Sequence, residues 1–259
     1  MSQNVLVVHG GGPTAVINAS LYGVIEEAKR NPEVGKVYGA IGGTGAIFSE
    51  TFIDLTSFDD EKLKLLLHTP ASAIGSSRYP LYEKDYEKMV DIFKKHDIKY
   101  VLLNGGNGTM DACGHIYEVC KDQDIKVVGI PKTIDNDIAM TDHSPGYGSA
   151  ARFIAASTQE VGEDVKSLPI HVCIMEAMGR NAGWITAASA LARRKQGDAP
   201  HLIYLPERNF NEDEFLEDVS RLQKKQGGVV VLVSEGLHDA NGESIVPPIF
   251  KSERAVYYG

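Results

Sequence analysis

Short β-branched runs alternate with longer amphipathic stretches along the whole chain. The runs Val5–Val8, Val37–Ile41, Tyr100–Asn104, Lys126–Ile130, Val172–Met175, His201–Tyr204 and Val229–Ser234 predict strands. Between them, Ala15–Arg30, Glu83–His96, Met110–Cys120, Ser149–Lys166, Ala182–Arg193 and Glu212–Lys225 carry the periodicity of helices. Strands joined through helices pair in parallel, so the expected architecture is α/β, three-layered and mostly parallel. No low-complexity linker interrupts the chain. The best hinge is the loop 138–148, which contains Pro145-Gly-Tyr-Gly148. This predicts two α/β lobes, residues 1–140 and 141–259, with a cleft between them. The tail Ala255-Val-Tyr-Tyr-Gly259 reads as a sequence stopped before its next helix.

A chain of 259 residues can bury a real core as one large domain or two smaller ones. With 43% hydrophobic and 24% charged residues it has the composition of an ordinary soluble globule. The formal net charge of −9 argues against nucleic-acid partners, so any phosphate site must be a local basic focus. No apolar run approaches the roughly 18 residues of a membrane span. The start, Met-Ser-Gln-Asn followed by a strand, lacks the basic and apolar regions of a signal peptide, and a cytoplasmic location is expected. Cys113, Cys120 and Cys173 have no metal-type spacing and read as reduced thiols, the first two near one face of a predicted helix.

The chemistry is carried by loops that leave strand ends. Gly105-Gly-Asn-Gly-Thr109 follows one apolar run, and Pro131-Lys-Thr-Ile-Asp-Asn-Asp137 follows another. Open α/β sheets hold ligands at such places. The first loop can offer bare backbone N–H groups to phosphate; the second offers an ammonium and two carboxylates. Gly10-Gly-Gly-Pro-Thr14, with Asn18 one turn into the next helix, has the same strand-to-helix form, and a phosphate contact or a tight turn would each explain it. No Lys-Ser/Thr closes it into a Walker loop, and the dinucleotide fingerprint is missing. Arg78, in Gly75-Ser-Ser-Arg-Tyr-Pro80, could clamp phosphate bidentately. Arg180, in Met178-Gly-Arg-Asn-Ala-Gly183, follows a strand ending near Glu176. Asp135 and Asp137, either side of Asn136, could divide proton acceptance from the orientation of metal or substrate, and Lys132 beside them suits phosphoryl transfer. His9 and His171 have no ligand spacing to another His or Cys, so no metal role is expected of them.

Taken in order, these loops resemble those of the phosphofructokinases from about residue 3 to the end of the chain. The matching segments are Gly11–Asn18, Gly75–Pro80, Gly105–Asp111, Pro131–Asp137, Gly146–Ser149, Met178–Trp184 and Ser234-Glu235-Gly236. Thr14–Asn18, Pro145–Ser149 and Gly179–Trp184 resemble the pyrophosphate-using bacterial branch. The resemblance implies two Rossmann-like lobes, Mg²⁺, and phosphoryl transfer to the 1-hydroxyl of fructose 6-phosphate, in a homo-oligomer (dimer or tetramer) in the full-length family form. It implies Asp135 as general base, with Lys132, Asp137 and Arg180 in the catalytic group. Thr133, Ile134, Asp135, His171, Met178, Gly179, Arg180 and Glu235 would hold the sugar phosphate. Gly11, Arg78, Gly106, Asn107, Gly108 and Thr109 would hold the donor.

Three departures accompany the match. Asn107 stands where the family has a metal-binding acid, although the pyrophosphate branch often has Asn there. His171 stands where a basic residue reaches a neighbouring subunit's site. Family members also continue with a segment carrying further basic residues for the sugar 6-phosphate, without which the substrate site would be incomplete. Gly108 leaves room for a nucleotide, whereas Lys132 accompanies pyrophosphate use and Thr44 replaces an aromatic common in ATP users. On balance these features favour ATP, with pyrophosphate as the alternative donor. A truncated ligand-binding fragment without turnover is the reading of another class. Lipid and NAD kinases share the Gly-Gly loop but lack the other two motifs.

Overall fold

The computed structural model describes residues 3–245, so the expectation at Ala255–Gly259 lies outside the described residues. The chain forms two compact units that divide between Thr133 and Ile134, upstream of the expected boundary at 140. The reason is visible in the hydrogen bonds. Lys132 N–H still pairs with the Gly105 carbonyl of the first unit (2.9 Å). Asn136 instead ties forward, its side chain donating to the Asp142 carbonyl and accepting the Ser144 N–H.

In the first unit the elements run β1 (Gln3–His9), α1 (Ala15–Arg30), β2 (Val34–Ala40), α2 (Gly45–Phe48), β3 (Phe52–Asp54), α3 (Asp60–Lys64), α4 (Glu83–Lys95), β4 (Ile98–Gly105), α5 (Asn107–Cys120) and β5 (Lys126–Pro131). The sheet order is β3-β2-β1-β4-β5, parallel except for β3, which pairs antiparallel with β2. Alternation along β1 explains the layering. Leu6 and Val8 join the cluster built with Met89 and Phe93 of α4 and Cys113, Ile116 and Cys120 of α5. Val5 and Val7 point the other way, to Leu21 and Ile25 of α1. The connections after β1 and β4 therefore leave on opposite faces, which opens a crevice at their carboxyl ends where strand order reverses. Cys113 and Cys120 are buried free thiols, and burial raises the Cys120 thiol to about 11.

The second unit contains α6 (Tyr147–Ser167), β6 (Val172–Ala177), α7 (Trp184–Ala188), β7 (Leu202–Tyr204), α8 (Glu212–Gln226) and β8 (Val229–Ser234). Its three strands are parallel in the order β6-β8-β7. Val230 and Leu232 of the central β8 pack with Ala151, Ile154 and Val165 of α6 and Ile185 of α7. β6 is an edge strand whose Ile174 is 55% exposed. The expected helix Ala182–Arg193 is only α7 followed by a 3₁₀ turn at Ser189–Ala192. There the Ser189 hydroxyl bonds back to the Thr186 carbonyl (2.5 Å), the local competition that tightens a helical turn. β3, α2 and α3 were not expected, being too short to show a period. No helix among the described residues is long and apolar enough to cross a membrane.

Candidate functional site

The carboxyl ends of β1 and β4 are neighbours in register, His9 opposite Asn104, and Gly10 N–H donates to the Asn104 carbonyl (3.0 Å). Both chains then turn through glycine. Thr109, buried in the first turn of α5, fills the space beneath them. A Cβ on Gly10 would meet Thr109 Cγ2 at 3.1 Å, and one on Gly105 would meet the Gly10 carbonyl oxygen at 2.6 Å. These two glycines allow close packing. Gly11 has φ +73°, the left-handed region that glycine enters without strain. Gly12 and Gly108 have open space around them. The loop Gly105–Thr109 is largely the first turn of α5, capped at Gly106, so the helix begins at Asn107 rather than Met110. Its first amides and the positive end of the helix dipole form a surface suited to an anion.

A third segment is strapped across these loops. Gly11 N–H donates to the Ser77 carbonyl (3.2 Å) and Ser76 Oγ to the Gly11 carbonyl (2.7 Å). Thr44 is buried, with Oγ1 3.2 Å from Ser77 Oγ, so its side chain is committed to this strap. Asn18, fully buried, donates to the Thr69 and Ala71 carbonyls and accepts the Ala73 N–H. The exposed Arg78 follows directly. Lys132, only 5% exposed, donates its ammonium to the Gly12 carbonyl. Burial, with that ammonium acting on it, pushes the His9 imidazole down to about 4. Gly11, Arg78, Gly106, Asn107, Gly108 and Lys132 thus gather at one crevice, with Thr109 below it as a packing wedge.

The second unit has its own loop cluster. Asn136 takes φ +57° between Asp135 and Asp137, reversing the backbone between the two half-buried carboxylates. Ile134, expected to touch sugar, packs into the apolar cluster that also holds Ala177 and Ile185. That cluster anchors both the Asp135 loop and the turn 178–183. Gly179, at φ +114°, is bonded on both sides: its N–H donates to Glu235 Oε1 (2.9 Å) and its carbonyl accepts from Ser234 Oγ (2.9 Å). A Cβ on Gly236 would overlap the Arg180 carbonyl oxygen. Gly183 N–H donates to Glu207 Oε1 (2.7 Å). Glu235 therefore braces the turn that presents Met178 and Arg180, both exposed. His171 is exposed just before β6. Six residues of strand, about 20 Å at 3.3 Å per residue, separate it from this turn.

A sequence model described as phosphofructokinase matches residues 4–256. The chain belongs to the phosphofructokinase family. It is 44% identical over 244 residues to the pyrophosphate–fructose 6-phosphate 1-phosphotransferase of Rhodospirillum rubrum, covering 93% of this chain and 60% of that protein. The ATP-dependent 6-phosphofructokinase of Amycolatopsis methanolica is 30% identical over 247 residues, covering 91% of this chain and 52% of that protein. Among solved structures, the pyrophosphate-dependent phosphofructokinase from Marinobacter aquaeolei superposes with a TM-score of 0.84 at 40% identity, covering 92% of this chain and 61% of that one. The enzyme of that description from Nitrosospira multiformis gives 0.86 at 38%, covering 94% and 63%. The chain spans about 60% of the length of the curated relatives it matches.

Several residues that shape these phosphofructokinase loops escape a reading by chemistry. His9, Ser72, Ser76 and Ser77 fix the strap, Asn136 shapes the carboxylate loop, and Ser234 and Glu207 hold the turn at 178–183. Small polar residues beside glycine were the available signal. The partners of His9, Ser76, Ser77, Ser234 and Glu207 lie too far along the chain for spacing to reveal.

Proposed function

We propose that this chain carries the site of a pyrophosphate-dependent fructose 6-phosphate 1-phosphotransferase. The carrying observation is Lys132, a buried ammonium hydrogen-bonded to the Gly12 carbonyl beside two glycine turns. A fixed compact charge there suits a small, highly charged donor that brings no base or ribose of its own. The 44% identity to a protein named for pyrophosphate supports the same reading. So does Thr44, whose hydroxyl is engaged with Ser77 and offers no stacking surface. These observations outweigh the balance toward ATP drawn from Gly108. The open space at Gly108 still supports ATP as the second reading.

In this reaction the oxygen of the sugar 1-hydroxyl forms a bond to one phosphorus of pyrophosphate. The bridging P–O bond breaks, orthophosphate leaves, and Asp135 accepts the hydroxyl proton. Lys132 offsets the charge that builds on the donor's phosphate oxygens. Asp137 orients, while Met178 and Arg180 contact the sugar phosphate from a turn braced by Glu235. Among the described residues no group of three or more His, Cys, Asp or Glu is assembled to cage a metal. Mg²⁺ is ordinarily held by one or two protein oxygens together with substrate phosphates. Asn107, exposed in the first turn of α5, is the candidate protein ligand. The ion would supply neutralisation of phosphate oxygens.

The test is turnover of fructose 6-phosphate with Mg²⁺ and each donor in turn, together with calorimetric binding of Mg-pyrophosphate. Turnover with pyrophosphate well above that with ATP is expected. Preference for ATP would reverse the donor assignment, and neither turnover nor pyrophosphate binding would sink the proposal.

A further inference from the structure

His9 is the last residue of β1 and continues the face of Val5 and Val7 toward α1, where it is completely buried. Its Nδ1 lies 2.7 Å from Ser72 Oγ, and Ser72 Oγ lies 2.7 Å from the Gly75 carbonyl oxygen. A hydroxyl has one proton, and a carbonyl can only accept, so the Ser72 proton goes to Gly75. Ser72 must then accept from His9, which fixes the proton on Nδ1 and leaves Nε2 as a bare lone pair. Nε2 is itself buried without a hydrogen-bond partner. Protonating it would place a second cation within the field of Lys132.

The chain of bonds continues past Ser72. Gly75 has φ +73°, and a Cβ there would meet Gly42 N at 3.1 Å, so this turn is tightly seated. It delivers Ser76 and Ser77 to their bonds with Gly11 and, directly after them, Arg78. Asn18 holds the other end of the same segment, at residues 69–73.

We infer that His9 is a positioning residue: its neutral, Nδ1-protonated ring holds the 72–78 strap, and through it Arg78, in register with the Gly10–Gly12 loop. This rests on the reading of that loop as the donor's phosphate site. The histidine's role is to be a rigid donor that excludes a proton rather than to exchange one.

Three measurements test it. Imidazole ¹⁵N spectra of the wild-type protein, with the His9 signal identified by its loss in His9→Asn, should show a pyrrole-type Nδ1 and a pyridine-type Nε2 at neutral pH. An Nε2–H tautomer would overturn the inference. Asparagine keeps an N–H donor close to the Nδ1 position, whereas leucine keeps bulk alone. Hydrogen exchange across residues 72–78 should rise in His9→Leu and in Ser72→Ala and stay near wild type in His9→Asn. Mg-pyrophosphate affinity should fall about tenfold in the first two, as KM with kcat little changed, and by less than about threefold in the third, on the scale of one hydrogen bond. Leucine and alanine variants that match wild type in exchange would overturn the inference, as would an asparagine variant that fails to rescue. Should the wild type bind no pyrophosphate, the donor reading falls, while the ring tautomer and the exchange pattern still decide whether His9 holds the strap. If His9→Leu does not fold, Ser72→Ala and the wild-type spectrum carry the test.

Discussion

The two glycine-rich regions look alike in sequence and are built on different principles. At the ends of β1 and β4, Gly10 and Gly105 close around Thr109, while Gly12 and Gly108 are left with open space. In the second unit, Gly179, Gly183 and Gly236 are all engaged: two by carboxylates that accept their N–H groups, one by the Arg180 carbonyl packed against it. The first region rests on strands buried on both faces and leaves the Cβ positions of Gly12 and Gly108 open. The second lies at the end of an edge strand and uses its glycines to lock a turn whose side chains do the contacting. A glycine whose Cβ position is already occupied is thereby explained by packing alone.

The largest expected effect falls on the second region. Asp135→Asn should lower kcat by on the order of 10² to 10⁴, the range for loss of a positioned base, with Mg-pyrophosphate affinity unchanged. Near-normal turnover would remove Asp135 from the mechanism and leave chemistry with the first region.

Stability against pH probes the first region. The folded value of His9, about 4, lies below the 6.5 of an unfolded histidine, so the folded state excludes the proton. Its contribution is complete above pH 6.5 and is lost as pH falls toward 4. Urea unfolding at pH 7 and pH 4.5 should differ by on the order of 2–3 kcal/mol more in wild type than in His9→Asn. His201, also lowered mainly by burial, acts in the same direction in both proteins. Equal differences would dissociate His9 from the pH slope.

Donor choice sharpens the contrast next. Gly108→Asp adds a carboxylate in the open space of the donor crevice. It should lower ATP use relative to pyrophosphate use on the order of a hundredfold, as like charges brought together cost several kcal/mol. An unchanged ratio would move the donor away from this loop.

The smallest effects separate the two kinds of glycine directly. Gly236→Ala and Gly105→Ala should each destabilise by ~1–3 kcal/mol through overpacking. Gly108→Ala, exposed and within α5, should be neutral or stabilise by up to ~1 kcal/mol. Melting temperatures of the three variants check the ranking, and a destabilised Gly108→Ala would break the distinction.

Much of this was legible in the chain. Continuous β-branched runs located the long strands because Val5 to Val8 and Val229 to Leu232 are buried on both faces of their sheets. Helices such as Ala15–Arg30 were found residue for residue because their apolar face repeats over several turns. Edge strand β3 and the single-turn helices were not, since three to five residues carry no period. The glycine loops, Lys132 and the Asp135/Asp137 pair stood out as chemistry at strand ends, which is a local signal.

By itself the sequence determined that the chain is α/β and that its glycine-rich and charged loops follow β1, β4, β5 and β6. Only the tertiary structure decided what these side chains pack and bond against. Thr109 wedges between two glycine turns, Glu235 braces the Gly179 turn, Ile134 packs on an apolar cluster, and His9 bonds to Ser72. The physical reason is distance along the chain. A periodic face repeats every two to four residues, but His9 meets Ser72 and Gly179 meets Glu235 only because folded strands and loops bring distant residues within a hydrogen bond of each other.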